Sequence, residues 1–218
     1  MIKKLFFLIL IPFFSFSQSF NQIDINGKKQ GDWIKYDDNG KLRYKGQFID
    51  DIPSGVFKYY YDTGELKLEK EYFHKGSAAA THIFYKNGDI KASGLYVNEL
   101  KDSTWYYYDK DSALVMTEQY NKGYLNGMTK TFYQTGEIYE VKNWKMGIKD
   151  GFWNQFFSNG QLMRESYYVN GKKEKNSIFY YPSGVISFKG NYVNGIKSGN
   201  WEFFNDQGVL DTIINYNE

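Results

Sequence analysis

From Gly27 to Glu218 the chain repeats one spaced template every 24 residues, eight times, without insertion or deletion. A strict period of this length must be settled before domains are counted, because each repeat is one small supersecondary unit that buries its apolar face only against its neighbours. Taking one small residue per unit as origin, the origins are Gly40, Gly64, Gly88, Ser112, Gly136, Gly160, Gly184 and Gly208. Position −4 is always aromatic, from Tyr36 and Tyr60 to Phe204; position +2 is always aliphatic, from Leu42 to Leu210; position +8 is again aromatic, from Phe48 to Tyr216. These positions predict a continuous stripe of core shared between units.

Within a unit, segments rich in aromatic and β-branched residues alternate with turn signals. Ile178-Phe179-Tyr180-Tyr181 is followed by Pro182-Ser183-Gly184, and a second turn carries Asn-Gly at Asn170-Gly171 and Asn194-Gly195. Such pairs suit tight turns needing φ > 0. Each unit therefore reads as a β-hairpin, helices have no room, and eight hairpins give about 16 strands. The predicted fold is all-β: an elongated array of eight antiparallel hairpins forming one twisted sheet. Glycine also recurs at −9 (Gly31, Gly55, Gly127, Gly151, Gly199) and at +6 (Gly46, Gly94, Gly190). At both places it is expected to clear space for a neighbouring unit's ring to lie against backbone.

The first twenty residues depart from this regime. Lys3 and Lys4 precede the apolar run Leu5 to Phe16, and Ser15-Phe16-Ser17 supplies a small-x-small site. This is the pattern of a cleaved signal peptide over residues 1–17, with Gln18 as the first mature residue. The run is shorter than the roughly 20 residues that span a bilayer comfortably, so no transmembrane span is expected in the mature chain. Residues 18–26 are a lead-in and 27–218 the repeat domain. The chain has no cysteine, which excludes disulfides, thiolate metal sites and a lipidated cysteine anchor. Of 27 basic residues, Lys3 and Lys4 leave with the leader, so 25 face 25 acidic ones. A neutral mature chain argues against nucleic acid as a partner.

The pattern G-x-W-x-x-Y/F-x-x-x-G-x-L, followed by an aromatic and an N-G turn, resembles the MORN repeat in its bacterial variant. The resemblance covers about residues 22–218. It implies an all-β hairpin array used as a scaffold for protein or lipid contact, and similar bacterial proteins are commonly described as antitoxin-like partners in toxin–antitoxin pairs.

Candidate site residues lie on the strand face opposite position −4. Positions −7, −5 and −3 hold Trp33, Tyr59, Tyr61, Trp105, Tyr107, Trp153, Phe157, Tyr181 and Trp201, among other rings. Either twist and curling bury this set too, or it presents an aromatic surface of the kind partners anchor on. Catalytic chemistry has little support. His74 and His82 lack converging ligands, no metal or cofactor motif is present, and pairs such as Asp50-Asp51 read as solvated turns. The second-turn lysines, Lys28, Lys29, Lys149, Lys172, Lys173 and Lys197, read as solubility and edge-protection devices.

Units three, four and seven drift from the template, with Ala79, Ser103 and Lys175 at −9 and Thr81 and Ser177 at −7. Asp211, Asn215, Asn217 and Glu218 are expected to cap the last hairpin. The expected function is a non-catalytic exported scaffold, periplasmic, cell-surface or secreted, that binds another protein, with an antitoxin- or immunity-like role as one version. The alternative is a structural or carbohydrate-contacting protein of the cell envelope.

Overall fold

The computed structural model describes residues 19–217, so the expected signal peptide, Gln18 and Glu218 lie outside the described residues. Seventeen strands follow one another: β1 (Gln22–Ile23), β2 (Lys29–Tyr36), β3 (Leu42–Ile49), β4 (Ile52–Tyr60), β5 (Leu66–Phe73), β6 (Ala78–Phe84), β7 (Ile90–Val97), β8 (Leu100–Tyr108) and β9 (Leu114–Asn121). They continue as β10 (Tyr124–Phe132), β11 (Ile138–Lys145), β12 (Ile148–Phe156), β13 (Leu162–Val169), β14 (Lys172–Tyr180), β15 (Ile186–Val193), β16 (Ile196–Phe204) and β17 (Leu210–Asn215). Each pairs antiparallel with the next along the chain. The expected array of eight hairpins is thus one open meander, and the two-residue β1 of the lead-in supplies the seventeenth strand.

Turn chemistry follows the sequence. All eight origin residues have positive φ, Ser112 included at 62°. Most second turns place two consecutive residues at positive φ, as at Asn170 (49°) and Gly171 (83°), which is the two-residue turn whose twist matches a hairpin.

At six of the seven junctions between units the register shifts by two residues. Gln47 pairs with Ser54, whereas Lys45 pairs with Lys58, so Gly55, Val56 and Phe57 together face Gly46. This bulge places the −7 side chain directly over the preceding unit's +6 residue. A Cβ added to Gly46, Gly94 or Gly190 would lie 2.4, 2.3 or 2.2 Å from the ring of Phe57, Trp105 or Trp201. The +6 glycines therefore do what the sequence suggests. At Gly199 the reason differs: a Cβ would meet nothing within 4 Å, and the requirement is the positive φ of the bulge, 66°; Gly31 is equally open and has a φ of 65°.

Burial corrects the expected core stripe. The deepest rings sit at −7, with Trp105 and Trp201 at 0% and Phe57 at 2% exposure. The −4 and +2 residues pair with each other near the first turns, as Tyr36 with Leu42, and are mostly half-buried. The −7 rings pack instead against +8 rings, and Phe57 and Trp201 are wedged between those of two successive units. Phe57 meets Phe48 and Tyr72 edge-on at centroid distances of 5.1 and 5.2 Å, and Trp201 meets Tyr192 and Tyr216 at 5.1 and 6.1 Å. A single-layer sheet thus buries one face by laying rings flat along it.

Candidate functional site

The nine candidate aromatics do not form one exposed patch. Trp105 and Trp201 are fully buried, donate their indole N–H to the backbone carbonyls of Leu95 (3.0 Å) and Asn191 (3.2 Å), and offer nothing to a partner. Tyr61 and Tyr181 donate their hydroxyls to the carbonyls of Phe84 (2.7 Å) and Phe204 (2.9 Å). Tyr85 and Tyr133 do the same toward Tyr108 and Phe156, so position −3 ties one hairpin to the next across 23 residues. Trp33, Tyr59 and Phe157 stay half-buried; Trp33 packs edge-on against Phe48 at 5.7 Å, and burial pushes the Tyr59 phenol well above its ordinary range.

Tyr107 and Trp153 belong to a polar stretch of this ring face in units four to six. The Tyr107 and Tyr120 hydroxyls converge on Glu118 at 2.5 and 2.7 Å, while the Lys101 ammonium donates to Tyr107 at 2.7 Å. Burial first, and hydrogen bonding to Glu118 second, push Tyr120 up to about 12 and Tyr107 higher still; burial lowers Lys101. Glu140, only 6% exposed, accepts from Trp153 Nε1 (2.6 Å) and Gln155 Nε2 (2.8 Å) and pairs with Lys142 at 2.5 Å. Burial acts to raise its pKa, but the hydrogen bonds from Lys142, Trp153 and Gln155 outweigh it and hold the carboxyl below its usual range.

Sequence reasoning missed the lysines of this face. Every tryptophan at −7 has a lysine four residues before it, and each ammonium lies over the ring: Lys29 over Trp33 at 5.1 Å, Lys101 over Trp105 at 4.5 Å, Lys149 over Trp153 and Lys197 over Trp201 at 4.2 Å. Lys29, Lys149 and Lys197 therefore roof the aromatic layer, a cation–π role beyond edge protection. The K-x-x-x-W spacing carries that signal in the sequence itself.

Two other surfaces emerge. Along the second-turn edge, Ile52, Leu100, Tyr124, Ile148 and Ile196 are exposed, all at position −12. On the face opposite the rings, position −8 points outward, with Val56, Met128, Phe152, Asn176 and Asn200 all exposed. Among the described residues no group of three or more His, Cys, Asp or Glu could hold a metal, and no helix is long and apolar enough to cross a membrane.

An open meander of identical hairpins, each touching only its neighbours, defines a repeat scaffold. Four of its units, at residues 29–50, 53–74, 149–170 and 173–194, match the family model described as MORN repeat variant. The remaining units follow the same template in phase. A comparison with curated proteins found no match. Among solved structures, a crystal structure of TarM is 14% identical with a TM-score of 0.28, covering 55% of this chain and 19% of that one. A mutant S. aureus TarM in complex with Fondaparinux, alpha-GlcNAc-glycerol and UDP is 13% identical with a TM-score of 0.27, covering 56% and 19%. The chain spans about a fifth of the length of these structures, and likeness at that level carries no argument.

Proposed function

We propose that this chain is an exported, non-catalytic repeat scaffold that binds another protein along its second-turn edge, with an antitoxin- or immunity-like role as one version. The observation that carries the reading is the −12 row, in which five units expose Ile52, Leu100, Tyr124, Ile148 and Ile196 along one side of the array. Units repeat every two strands, about 9.5 Å, so Leu100, Tyr124 and Ile148 form an unbroken apolar run, bounded at the same position by Gly76 and Lys172, of the kind found at protein interfaces. Export rests on the charge and hydropathy pattern of residues 1–17.

The test is affinity capture with the chain from Gln18 to Glu218 beside a variant carrying Leu100→Ser, Tyr124→Ser and Ile148→Ser. A single protein lost in the variant, and cross-linked to these turns in the parent, supports the reading; identical capture by both counts against it. Mass spectrometry of the native protein checks export, with an N-terminus at Gln18 expected and retention of Met1 opposing it. A carbohydrate-contacting role in the envelope is the second reading, favoured by a row of uncharged amides and rings on the opposite face.

A further inference from the structure

On the face away from the packed rings, the −8 and +7 residues of each hairpin are direct cross-strand neighbours. In units six to eight these pairs are Phe152 with Tyr167, Asn176 with Asn191, and Asn200 with Asn215. They form one row of six uncharged side chains across β12 to β17; at its β13–β14 step Glu174 stands opposite Tyr167 and the Lys175 ammonium lies 3.9 Å from the Tyr167 ring centre. In units one and two the equivalent row holds Asp32 and Glu71. Phe152 is 52% exposed and meets Tyr167 edge-on at 5.0 Å, which leaves a ring face open at one end of the row.

The amides next to it are free. The side chains of Asn176, Asn191 and Asn200 bond to no described residue, whereas Asn143, one unit earlier, is spent on the Phe152 carbonyl at 2.8 Å. Between the three asparagines lies a hollow of about 240 Å³ floored by Gly190 and bordered by the Lys189–Glu202 ion pair at 3.1 Å. The glycine that admits the Trp201 ring on one side of the sheet also leaves bare backbone on the other.

We propose that this row binds an extended, uncharged polysaccharide lying across the strands of units six to eight. The inference deepens the carbohydrate reading by giving it a ligand class and a place. A sugar presents hydroxyls and one or two C–H faces, which call for amides that both donate and accept and for an open aromatic ring. The charges beside the row are of both signs, Lys175 with Glu174 and Lys189 with Glu202, so neither a charged polymer nor an anionic lipid surface meets a field of one sign. Spacing agrees as well: the row offers one side chain per strand, about 4.8 Å apart, close to the advance per pyranose in an extended β-linked chain.

The experiment titrates the purified protein calorimetrically with β-1,4-linked oligomers of glucose and of N-acetylglucosamine, from dimer to hexamer, with maltohexaose and an anionic polysaccharide as comparisons. One β-linked series is expected to bind with affinity that rises at least tenfold from dimer to hexamer and is insensitive to salt. Phe152→Ala and Asn191→Ala are each expected to weaken the hexamer at least fivefold with thermal unfolding unchanged, while Val56→Ala, at the same template position in unit two, leaves it unaltered. Binding that survives both substitutions overturns this site and leaves carbohydrate contact elsewhere standing. Absence of binding to any neutral oligomer overturns both. Preference for the anionic polymer, lost on adding salt, also overturns the proposal.

Discussion

Two kinds of junction hold the array together. Between units one and two, three and four, and seven and eight, a large ring lies on a glycine: Phe57 on Gly46, Trp105 on Gly94, Trp201 on Gly190. Between units four and five and five and six the same two positions hold Glu118 with Thr129 and Lys142 with Trp153, and a network around Glu118 and Glu140 replaces the dry contact. There the Thr129 and Thr131 hydroxyls and the Trp144 indole N–H are buried without a partner in the chain. Ring-on-glycine junctions draw on apolar burial and geometry. Polar junctions rest in part on hydrogen bonds to the ionised Glu140 carboxylate, which makes them sensitive to pH.

The largest test of that contrast is removal of a ring. Trp105→Ala should cost about 3–5 kcal/mol in denaturant unfolding, as for a fully buried large side chain. Trp153→Ala, at a half-buried ring in the polar stretch, should cost about 1–2 kcal/mol. Equal losses would erase the distinction. Filling the space beneath a ring comes next. Gly94→Ala should destabilise by about 1–3 kcal/mol through overpacking. Ser166→Ala, at the same template position but hydrogen-bonded to Ser177 at 3.0 Å, should cost about 1 kcal/mol.

Acid should then separate the two classes. The folded pKa of Glu140 lies below its unfolded value of about 4.3, so its contribution is fully present above that pH and is lost as pH falls through the folded value. Urea midpoints measured from neutral pH into acid should fall more steeply for the parent than for Glu140→Gln; parallel curves would show that the network adds nothing. The smallest expected effect is at the first turns. Tyr133→Phe removes the hydroxyl that reaches the Phe156 carbonyl and should cost about 0.5–1.5 kcal/mol, while Phe157 already occupies the same position in unit six.

The period, the turns and the close approach at +6 were all legible, because each rests on a residue type with a single physical use: glycine and Asn-Gly for φ > 0, alternating aromatics for strands. Which aromatics are deepest was not. Simple alternation makes −7 and −4 equivalent candidates on opposite faces, and the mark of the bulge, glycine at −9, reads in the sequence as room for a ring rather than as a need for positive φ. For the same reason the sequence leaves Trp105 and Trp201 open between burial and partner contact, whereas they are buried and Phe152, one position before Trp153, is the exposed ring. The Lys-to-Trp spacing was readable and unread, since lysine at a turn is usually a solvated residue.

Unit three shows how an array of this kind stays in step with itself. Ala79 stands where a residue with positive φ is needed, no bulge forms, and β5 and β6 pair without a shift from Phe73 and Ala78 to Leu68 and Ile83. The two residues are not lost; they reappear in a longer turn, where His74, Lys75 and Gly76 all have positive φ. Beyond that point Glu69 pairs with His82 just as Lys45 pairs with Lys58 one unit earlier. Turn and bulge thus act as two ends of one slack length of chain, and a fault at one is taken up at the other before it can become a phase error. An extended ligand or partner spanning the defect would meet evenly spaced contacts on both sides of it, as on a ruler whose graduations are unbroken by a splice.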